Sequence, residues 1–513
     1  MRIGVDVGGT NTDAVLMDGT TVLAACKMPT TANVSDGIVN AISKILSDGS
    51  ADPGDIQAVM IGTTHFTNAF VECRGLLRVG VIRLALPATR ALPPMIDWPE
   101  HIAKVVHGSK YLVKGGYQFD GRINSPLDEQ AIAKAAREMK NAGIRAVSIS
   151  GVFSPVNNAM EERAEEIVLN EMSDAMVTLS CRIGRIGLLE RENAGIMNAS
   201  LAELASRVVS SFRQALGDLK ITAPFYISQN DGTLMQAEHV ERYPVLTFSS
   251  GPTNSMRGAA YLSGVKNAVV ADIGGTTTDI GMLNNGFPRE SSVAVDIGGV
   301  RTNFRMPDVF ALGLGGGSLV NADGELTIGP RSVGFRLLEE ALIFGGKTLT
   351  ASDIAVAGGY ADFGDRSKIK HLASDFVERA VEKIHTIVAD GVDRMKTSAD
   401  DVPLVLVGGG SVLIDRKIPG TSEVIIPDNA GVANAIGASI AQIGGEIDRV
   451  YSYDDIGRDS ALAQAKSEAI RIAIEAGAIP DSIEIIDVEE LPLAYVPGGS
   501  VRLRVKAAGK LNM

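Results

Sequence analysis

Short apolar runs alternate with helical patterns through most of the chain. Mostly apolar runs of four residues, the length and composition of buried strands, occur at residues 58–61, 79–82, 146–149, 225–228 and 404–407. Between such runs, apolar side chains recur every three or four residues, as at Ile38, Ile42 and Ile45 and across 376–395. That spacing places them on one face of a helix. Strands that alternate with helices in this way predict an α/β fold.

The helical pattern extends well beyond these examples. It predicts further helices at residues 127–142, 188–217, 255–262, 430–443 and 460–476, with Asp428 capping the helix at 430–443. After residue 448 the chain reads as one helix followed by two alternating strands, 483–488 and 501–505. We therefore expect three parts: an N-terminal half over 1–180, a second half over 181–447 and a small α+β appendage over 448–513.

One phrase occurs twice in the chain. Residues 5–13 read Val-Asp-Val-Gly-Gly-Thr-Asn-Thr-Asp, and residues 271–279 read Ala-Asp-Ile-Gly-Gly-Thr-Thr-Thr-Asp. In each copy a strand ends at an aspartate, two glycines allow a tight reversal, and a second aspartate opens a return strand. Glycine lets backbone N–H groups approach an anion closely, and threonine adds hydroxyl donors. Two such hairpins predict two related halves that hold one nucleotide from opposite sides.

The two turns supply the candidate phosphate-binding residues, which are Gly8, Gly9, Thr10, Asn11, Thr12, Gly274, Gly275, Thr276, Thr277 and Thr278. A Walker phosphate loop is not expected, because the chain has no G-x-x-x-x-G-K-[ST] segment. Asp6 and Asp272 are candidate Mg²⁺ ligands that would act through water, since Mg²⁺ rarely loses its whole hydration shell. For either phrase alone the alternative is an ordinary hairpin turn. A third fragment, Asp296 to Gly299, lacks the Thr-x-Thr-Asp continuation, and we interpret it as such a structural hairpin.

Further turns rich in glycine or hydroxyl residues follow predicted strands at Gly62 to His65, Ser249 to Pro252, Gly313 to Ser318 and Gly408 to Ser411. A glycine-rich turn between a buried strand and a helix suits a nucleotide base, ribose or phosphate. The candidate nucleotide-binding residues in these turns are Gly315, Gly316, Gly408, Gly409 and Gly410. His65, beside two threonines, is a candidate for a substrate or base role, with a purely structural histidine as the alternative.

Composition and charge narrow the possible partners. The 513 residues carry a net charge of −13, which argues against a general nucleic-acid or anionic-membrane surface. The sequence shows neither a signal-peptide pattern nor a run of 18 apolar residues, so no transmembrane helix is expected. Its three cysteines are scattered without metal-ligand spacing, which indicates a reducing compartment such as the cytoplasm.

These motifs together resemble those of a known family. The two Asp-x-Gly-Gly-Thr-x-Thr-Asp turns and the late Val407 to Ser411 segment resemble the actin, Hsp70 and sugar-kinase superfamily. Within it the chain is similar to the hydantoinase/oxoprolinase family, A-subunit type. The strings that carry this likeness are Gly62-Thr63-Thr64, Thr67-Asn68-Ala69, Asn198-Ala199, Ser250-Gly251-Pro252, Met306-Pro307-Asp308-Val309, Gly315-Gly316-Gly317-Ser318 and Gly329-Pro330-Arg331-Ser332. They follow the family's order over residues 1 to about 440.

The resemblance implies two actin-like (ribonuclease H-like) lobes around an ATP cleft, and ATP-dependent opening of a cyclic amide such as a hydantoin, 5-oxoproline or a lactam. The γ-phosphoryl group would pass to the amide carbonyl oxygen before water attacks the carbon, and catalysis would consist mainly of positioning and charge neutralisation. The two turns would then hold the phosphates, and Asp6 and Asp272 would orient Mg²⁺. Asp13 or Asp279 would position the attacking group, and Gly408 to Gly410 would face the adenosine. A separate B-type subunit and an oligomeric assembly are implied as well.

The sequence departs from this family in segments expected near the substrate. Many members have an apolar residue at the position of His65, a histidine at Phe310, and a loop with proline and cysteine where Phe335 to Leu338 stand. Two other functions therefore stay open. One is a small-molecule kinase of the sugar-kinase type, which would release a stable phosphoester rather than inorganic phosphate and a ring-opened acid. The other is a non-catalytic, nucleotide-binding partner subunit.

Overall fold

The structure is a computed structural model that describes residues 1–8, 11–29, 34–291, 294–322, 324–494 and 498–512. Within these residues the helices are α1 (Val34–Asp48), α2 (His65–Val71), α3 (Glu100–Val106), α4 (Glu129–Asn141), α5 (Ala159–Glu171), α6 (Leu188–Asp218), α7 (Ala237–Arg242), α8 (Ser250–Ser263), α9 (Leu337–Glu340), α10 (Ala351–Gly358), α11 (Ser374–Met395), α12 (Ala433–Ser439), α13 (Tyr453–Ile456) and α14 (Arg458–Glu475). None of them is both long enough and apolar enough to cross a membrane.

The strands of the same described residues are β1 (Arg2–Val7), β2 (Asn11–Asp18), β3 (Thr21–Pro29), β4 (Ala58–Thr63), β5 (Val79–Leu86), β6 (His107–Lys114), β7 (Ala146–Gly151), β8 (Met176–Leu179), β9 (Phe225–Ser228), β10 (Thr233–Gln236), β11 (Ala268–Ile273), β12 (Thr278–Asn284), β13 (Phe287–Pro288), β14 (Val295–Ile297), β15 (Val300–Thr302), β16 (Val309–Leu312), β17 (Ser318–Asn321), β18 (Thr327–Ser332), β19 (Val402–Val407), β20 (Thr421–Ile425), β21 (Gln442–Ser452), β22 (Glu484–Pro492) and β23 (Ser500–Gly509).

Two sheets form the centres of two lobes. The sheet of the first lobe has nine strands in the order β22-β23-β21-β10-β9-β4-β1-β2-β3. The sheet of the second lobe has six, with β13-β12-β11-β19-β20 in order and β16 paired to β12. In the first sheet β1 runs antiparallel to β2 and parallel to β4, and in the second β11 runs antiparallel to β12 and parallel to β19. The predicted α/β class and the predicted repetition of one hairpin arrangement are both confirmed.

Each sheet is covered by helices whose apolar faces the sequence predicted. In the first lobe, Ile38, Ile42 and Ile45 of α1 are fully buried against the sheet. In the second, α11 buries Val377, Ala380, Val381, Ile384 and Val388 in the core around β11 and β19. A separate four-stranded parallel sheet, in the order β6-β5-β7-β8, has its own core with α4 and α5. Helical and strand periodicity thus located most of the core.

Two helices of small residues connect the lobes. Helix α8 precedes β11, the central strand of the second lobe, and α12 precedes β21, which lies in the sheet of the first lobe. The two helices pack at backbone distance, since a Cβ at Gly258 would clash with Ala433 O and a Cβ at Gly437 would clash with Asn254 O. Glycine permits this approach because it has no side chain. The two chain crossings therefore lie side by side.

The predicted helix over 430–443 is wrong in extent. Helix α12 ends at Ser439, and Gln442 already begins β21, in which Ile443, Gly445 and Ile447 are buried in alternation. The spacing of Ile440 and Ile443 resembles a helical turn, whereas the period-two burial that follows is that of a strand. Nor does Asp428 act as the cap, because Asn429, at φ +61°, precedes the first helical turn.

The C-terminal strands also pair differently from the expected appendage. Strand β23 pairs antiparallel with β21 along its length, and β22 pairs with β23, so both extend the sheet of the first lobe. Helix α14 packs on them through Ala461, Ala465, Ala469 and Ala473. The expected boundary between 447 and 448 therefore falls inside β21. The division into three parts stays a prediction.

Candidate active site

The two repeated phrases form two hairpins with the same closure. In the first, Gly8 N–H donates to Asn11 O at 2.9 Å, and in the second Gly274 N–H donates to Thr277 O at 2.9 Å. Both are the strand–turn–strand arrangement that the glycine pair predicts. The tip of the first turn, Gly9 and Thr10, lies outside the described residues. Each hairpin also pairs its two aspartates across the ladder, Asp6 with Asp13 and Asp272 with Asp279.

Two asparagines hold the aspartates of the first hairpin. Asp6 is buried and accepts hydrogen bonds from Asn254 Nδ2 at 3.2 Å and from Asn434 Nδ2 at 3.0 Å. Asn434 Nδ2 also donates to Asp13 Oδ2 at 2.8 Å, and Lys27 Nζ contacts the same oxygen at 2.6 Å. Burial, and next the charge of Asp13, raise the pKa of Asp6 to about 6. A neutral amide therefore bridges two carboxylates.

The second hairpin has fewer partners for its acids. Asp272 Oδ2 accepts from Ser255 Oγ at 2.5 Å, and burial raises the pKa of this carboxyl. Burial, followed by the charge of Asp272, raises the pKa of Asp279 to about 7. The charge of Asp272 also contributes to the raised pKa of Asp6, so the two hairpins act on each other electrostatically.

Helix α8 lies between the two hairpins. Its Asn254 contacts Asp6, and the next residue, Ser255, contacts Asp272. Consecutive residues of one helix thus bind one aspartate from each lobe. The structure brings together the four aspartates that the sequence predicted, at the place where the two lobes meet.

A glycine on the neighbouring parallel strand leaves room for one aspartate of each hairpin. Gly62, at the end of β4, is paired with Asp6, and a Cβ there would clash with Asp6 Oδ1 and Asn254 Nδ2. Gly408 directly follows β19, and a Cβ there would clash with Asp272 Oδ1. Gly408 also has φ +84°, where a side chain would be strained. The two glycines have equivalent roles in the two lobes.

The two late glycine loops lie against the backbone of the second hairpin. Gly316 N–H donates to Gly274 O at 3.0 Å and Gly317 N–H to Gly275 O at 2.7 Å, so both amides are used within the protein. From the other loop, Gly410 N–H donates to Ile273 O at 2.7 Å, whereas a Cβ on Gly409 would meet open space. These contacts show that the loops support the hairpin. Direct contacts of Gly315, Gly316 and Gly408 to Gly410 with a nucleotide stay a prediction.

The described members of the predicted phosphate-binding set differ in exposure, and their contacts with phosphate stay a prediction. Thr12 and Thr278 are fully buried, and Thr278 Oγ1 donates inward to Leu314 O at 2.7 Å. Among the described members of the set, those with accessible surface are Gly8, Asn11, Gly274, Gly275, Thr276 and Thr277.

His65 begins helix α2, three residues after Gly62. Its N–H donates to Thr63 Oγ1 at 3.1 Å, its ring meets Phe66 edge-on at 6.0 Å, and the side chain is half-buried. Burial, with a smaller contribution from Arg74, lowers the pKa of His65. A neutral imidazole in this position could donate or accept one proton. A substrate or base role for His65 stays a prediction.

Four residues that contact the aspartates were not identified from the sequence: Asn254, Ser255, Asn434 and Lys27. Asn254 and Ser255 lie two and three positions after Pro252, inside α8, whereas the sequence pattern predicted a helix that starts only at Ser255. Asn434 is the polar member of an otherwise small and apolar stretch, Ala430 to Ala438. A polar amide in such a stretch is the signal that could have located it, because buried polar groups need partners.

The hairpin aspartates suit a hydrated divalent cation better than a fully protein-bound one. Among the described residues, no three side chains of His, Cys, Asp or Glu are close enough together to bind one metal ion. Buried Asp13 Oδ1 makes no hydrogen bond within the described part of the chain. Mg²⁺ commonly keeps several waters and takes one or two carboxylates together with substrate phosphates. Asp6 and Asp272 fit that mode of binding.

Two family models match this chain. The hydantoinase/oxoprolinase N-terminal region matches residues 2–172, and hydantoinase/oxoprolinase matches residues 191–365. The chain belongs to the hydantoinase/oxoprolinase family. A caprolactamase subunit alpha from Pseudomonas jessenii is 28% identical over 501 residues, which cover 86% of this chain and 70% of that protein. An acetophenone carboxylase gamma subunit from Aromatoleum aromaticum is 27% identical over 398 residues, or 70% of this chain and 53% of that subunit.

Solved structures of such proteins share the fold. An ATP-dependent caprolactamase from Pseudomonas jessenii superposes over 100% of this chain and 88% of its own with a TM-score of 0.78 at 22% identity. A nucleotide-free acetone carboxylase superposes over the same shares with a TM-score of 0.68 at 19% identity. These similarities support the two-lobed architecture with its central cleft.

Two of the three departures from the family, at Phe310 and at Phe335 to Leu338, lie in the second lobe. Phe310 is in β16, and the Arg394 guanidinium stacks on its ring at 4.9 Å. Phe335 is 77% exposed just before α9, and Gly334 beside it lies near Thr276 of the second hairpin. The altered segment at Phe335 therefore borders the candidate site, whereas Phe310 is held by a structural contact.

Proposed function

We propose that this chain is the ATP-dependent subunit of an enzyme that opens a cyclic amide. The observation that carries the proposal is the gathering of four hairpin aspartates between the lobes of a hydantoinase/oxoprolinase chain. The caprolactamase subunit alpha from Pseudomonas jessenii is similar over most of this chain, which favours a lactam or a related ring as substrate.

The proposed reaction has two parts. The amide oxygen takes the γ-phosphoryl group of ATP, and ADP leaves. A first water attacks the activated carbon and the ring C–N bond breaks, so that the nitrogen leaves as the amine and the carbon is left as an acyl phosphate. A second water hydrolyses the acyl phosphate to inorganic phosphate and the carboxylate of the ring-opened amino acid. Catalysis of phosphoryl transfer depends mainly on positioning and on neutralising charge.

The protein groups divide this work between them. The exposed or half-buried turn residues Gly8, Asn11 and Gly274 to Thr277 would bind the phosphates through N–H and hydroxyl donors. Asp6 and Asp272 would hold Mg²⁺ through its waters, and the ion would neutralise phosphate charge. Gly408 to Gly410 would lie near the adenosine.

Asp279 is the best-placed candidate to orient and deprotonate the attacking group. Burial and the charge of Asp272 bring its pKa to about 7, so that at neutral pH it can both accept and release a proton. Asp13, with Lys27 Nζ at 2.6 Å, has a fixed ionic partner and fits a positioning role better. We assign the base to Asp279 and the orientation of the first hairpin to Asp13.

The enzyme is expected to act with a partner subunit in an oligomer. The curated relatives are named as subunits, alpha in the caprolactamase and gamma in the acetophenone carboxylase. A B-type subunit would then complete the site beside Phe335, whose 77% exposure leaves an apolar surface at the border of the cleft. A cytoplasmic location likewise stays a prediction.

A coupled assay of ADP release tests the proposal. The purified chain, alone and with its co-purifying partner, is incubated with Mg·ATP and a panel of hydantoins, 5-oxoproline and lactams. We expect ADP release that depends on one of these rings, with equal amounts of phosphate and ring-opened acid. A stable phosphoester product would instead identify a kinase. Nucleotide binding with no ring-dependent ADP release, even with the partner, would favour the non-catalytic subunit.

The metal assignment has its own test. In Asp6→Asn and in Asp272→Asn, Mg·ATP affinity measured by calorimetry should fall about tenfold or more, because a charge-assisted contact is lost. Asp296→Asn is the matched control, since Asp296 opens the third Asp-x-Gly-Gly hairpin and only caps Gly299 N–H at 2.7 Å. Unchanged affinity in both test variants would show that the ion binds elsewhere.

A further inference from the structure

A cavity of 710 Å³ lies between the lobes, apart from the hairpin turns. Its wall includes Arg2 and Met17, which are paired at one end of the β1–β2 ladder, whereas Val7 and Thr12 beside the turn are paired at the other end. Helix α8, the β12–β13 turn and the C-terminal strands complete the wall. The cavity is therefore separate from the candidate active site.

The cavity combines an apolar body with a buried positive charge. Met60, Phe287, Ile440 and Leu511 supply apolar wall. Arg257 is only 8% exposed, and its guanidinium stacks on Phe287 with 3.8 Å from Cζ to the ring centroid. This arrangement offers an apolar surface and a cation side by side.

Arg257 has no carboxylate partner. Its Nη1 donates to Gly286 O at 2.7 Å and its Nη2 to Gln442 Oε1 at 3.0 Å, both of which are neutral acceptors. Its buried Nε has no acceptor in the described part of the chain, and no carboxylate there lies within 4.0 Å of the guanidinium. Burial lowers the pKa of Arg257 to about 10 and the charge of Asp231 acts in the opposite direction, so the group stays charged at neutral pH. A buried charge with no counter-ion in contact is costly unless something pairs with it.

Other cations line the same cavity. Arg2, Lys266 and Lys510 join Arg257, against Asp18 and Glu484 as the acidic side chains of the described wall. The chain as a whole has a net charge of −13. A local excess of positive charge in such a protein indicates attraction for an anion.

We propose that this cavity binds a small organic carboxylate with an apolar body. The carboxylate would lie near Arg257 and the two lysines, and the apolar part against Phe287 and Ile440. The cavity is large enough for a ligand of ordinary metabolite size. Its combination of apolar wall and a few charged groups favours such a molecule over inorganic phosphate, which has no apolar part.

Fluorescence of 8-anilinonaphthalene-1-sulfonate, an anion with an apolar body, gives a direct test on the full chain. We expect saturable binding that hexanoate displaces, whereas hexanol and inorganic phosphate displace it at least about tenfold less well. Mg·ATP should leave the signal unchanged. Displacement of the dye by Mg·ATP would locate the dye in the nucleotide cleft. Displacement by hexanol as effective as that by hexanoate would show that the carboxylate does not contribute to binding. Either result would overturn the proposal.

Substitutions locate the dye and the carboxylate. Lys266→Gln with Lys510→Gln changes two exposed side chains and should weaken hexanoate binding roughly three- to tenfold. Arg257→Gln should weaken it more, provided that thermal unfolding shows a folded protein. Lys347→Gln with Lys368→Gln removes the same charge from exposed positions elsewhere and should have no effect. Wild-type affinity in the Lys266 and Lys510 variant, or an equal loss in the control, would contradict the assignment.

Discussion

Acidic side chains gather at two places in this molecule, and their surroundings differ. The hairpin cluster consists of Asp6, Asp13, Asp272 and Asp279, for which Lys27 is the ammonium in contact. The paired cluster consists of Asp231, Glu290 and Glu446, which lie against Arg305, Arg504 and Lys506. The first group has an excess of negative charge, and the second is balanced.

The pKa values follow this difference. In the hairpin cluster, burial and neighbouring carboxylates raise the pKa of Asp6 to about 6 and that of Asp279 to about 7. In the paired cluster, burial acts in the same direction, but Lys506 and Arg305 lower the pKa of Asp231 to about 2, and the same cations lower that of Glu290 to about 2. Glu446 is the exception, because burial raises its pKa to about 7 even with Arg305 in contact.

The paired cluster is a structural connection between the lobes, whereas the hairpin cluster has the charge of a candidate binding site. The paired cluster joins the 289–307 segment of the second lobe to β21 and β23 of the first, where Ile297, Val300 and Phe304 of the same segment are buried in the core. Its charges are neutralised inside the protein. In the hairpin cluster the contacting cation of the described residues, Lys27, does not balance the four carboxyls, an excess of negative charge that suits the divalent cation of the proposed function.

The largest expected effect comes from removing the proposed base. Asp279→Asn should lower ring-dependent ADP release by about 10²–10⁴-fold, the range for loss of a general base. The metal-free protein should at the same time become more stable at pH 7.5, because a carboxyl that resists ionisation is gone. The coupled ADP assay and urea unfolding in a chelator measure the two changes.

Asp296→Asn provides the comparison for that variant, since it makes the same chemical change in the third hairpin. It should retain activity close to that of the wild type. Activity lost equally in both variants, or retained in both, would remove the special role of the hairpin cluster.

Breaking the paired cluster should affect stability rather than chemistry. Asp231→Asn leaves Lys506 and Arg305, at 3.2 and 3.3 Å, without one of their counter-charges. We expect the free energy of unfolding to fall by about 3–5 kcal/mol, measured by urea denaturation. Asp48→Asn is the matched control, because the Lys44–Asp48 pair at 2.8 Å is solvent-exposed and should contribute little to the free energy of unfolding. A similarly small decrease in the free energy of unfolding in both variants would show that the paired cluster does not stabilise the contact between the two lobes.

The hairpins and the buried helix faces were predictable from the sequence, because both depend on residues that are close together in the chain. The hairpins follow from paired glycines, and the buried faces of α1 and α11 follow from helical spacing. The four aspartates could be named because each occupies a fixed place in a repeated phrase. Family likeness and repetition, rather than composition, indicated that they would meet.

What could not be predicted depends on contacts between distant parts of the sequence. Asn434 meets Asp6 across 428 positions, and nothing in its neighbourhood specifies that partner. The end of α12 and the start of β21 are decided by pairing with β23, and this pairing overrides the helix-like spacing of Ile440 and Ile443. The buried face of Thr278 also depends on the strand register, which the turn alone does not fix.

The smallest predicted effect is a pH dependence that the two clusters should not share. A carboxyl whose folded pKa lies above its unfolded value binds more protons in the folded state, so its contribution to stability falls as pH rises towards the folded pKa. For Asp279, with a folded pKa of about 7, the free energy of unfolding of the metal-free wild type should fall by about 2 kcal/mol between pH 5.5 and 7.5 relative to that of Asp279→Asn.

Urea unfolding of both proteins at the two pH values isolates this contribution, since all other titrating groups are common to them. Asp231→Asn should show no such difference, because a carboxyl with a pKa of about 2 is ionised throughout the window. An equal pH response in wild type and Asp279→Asn would mean that Asp279 is already ionised at pH 5.5, and the base would then have to be sought at Asp13 or His65.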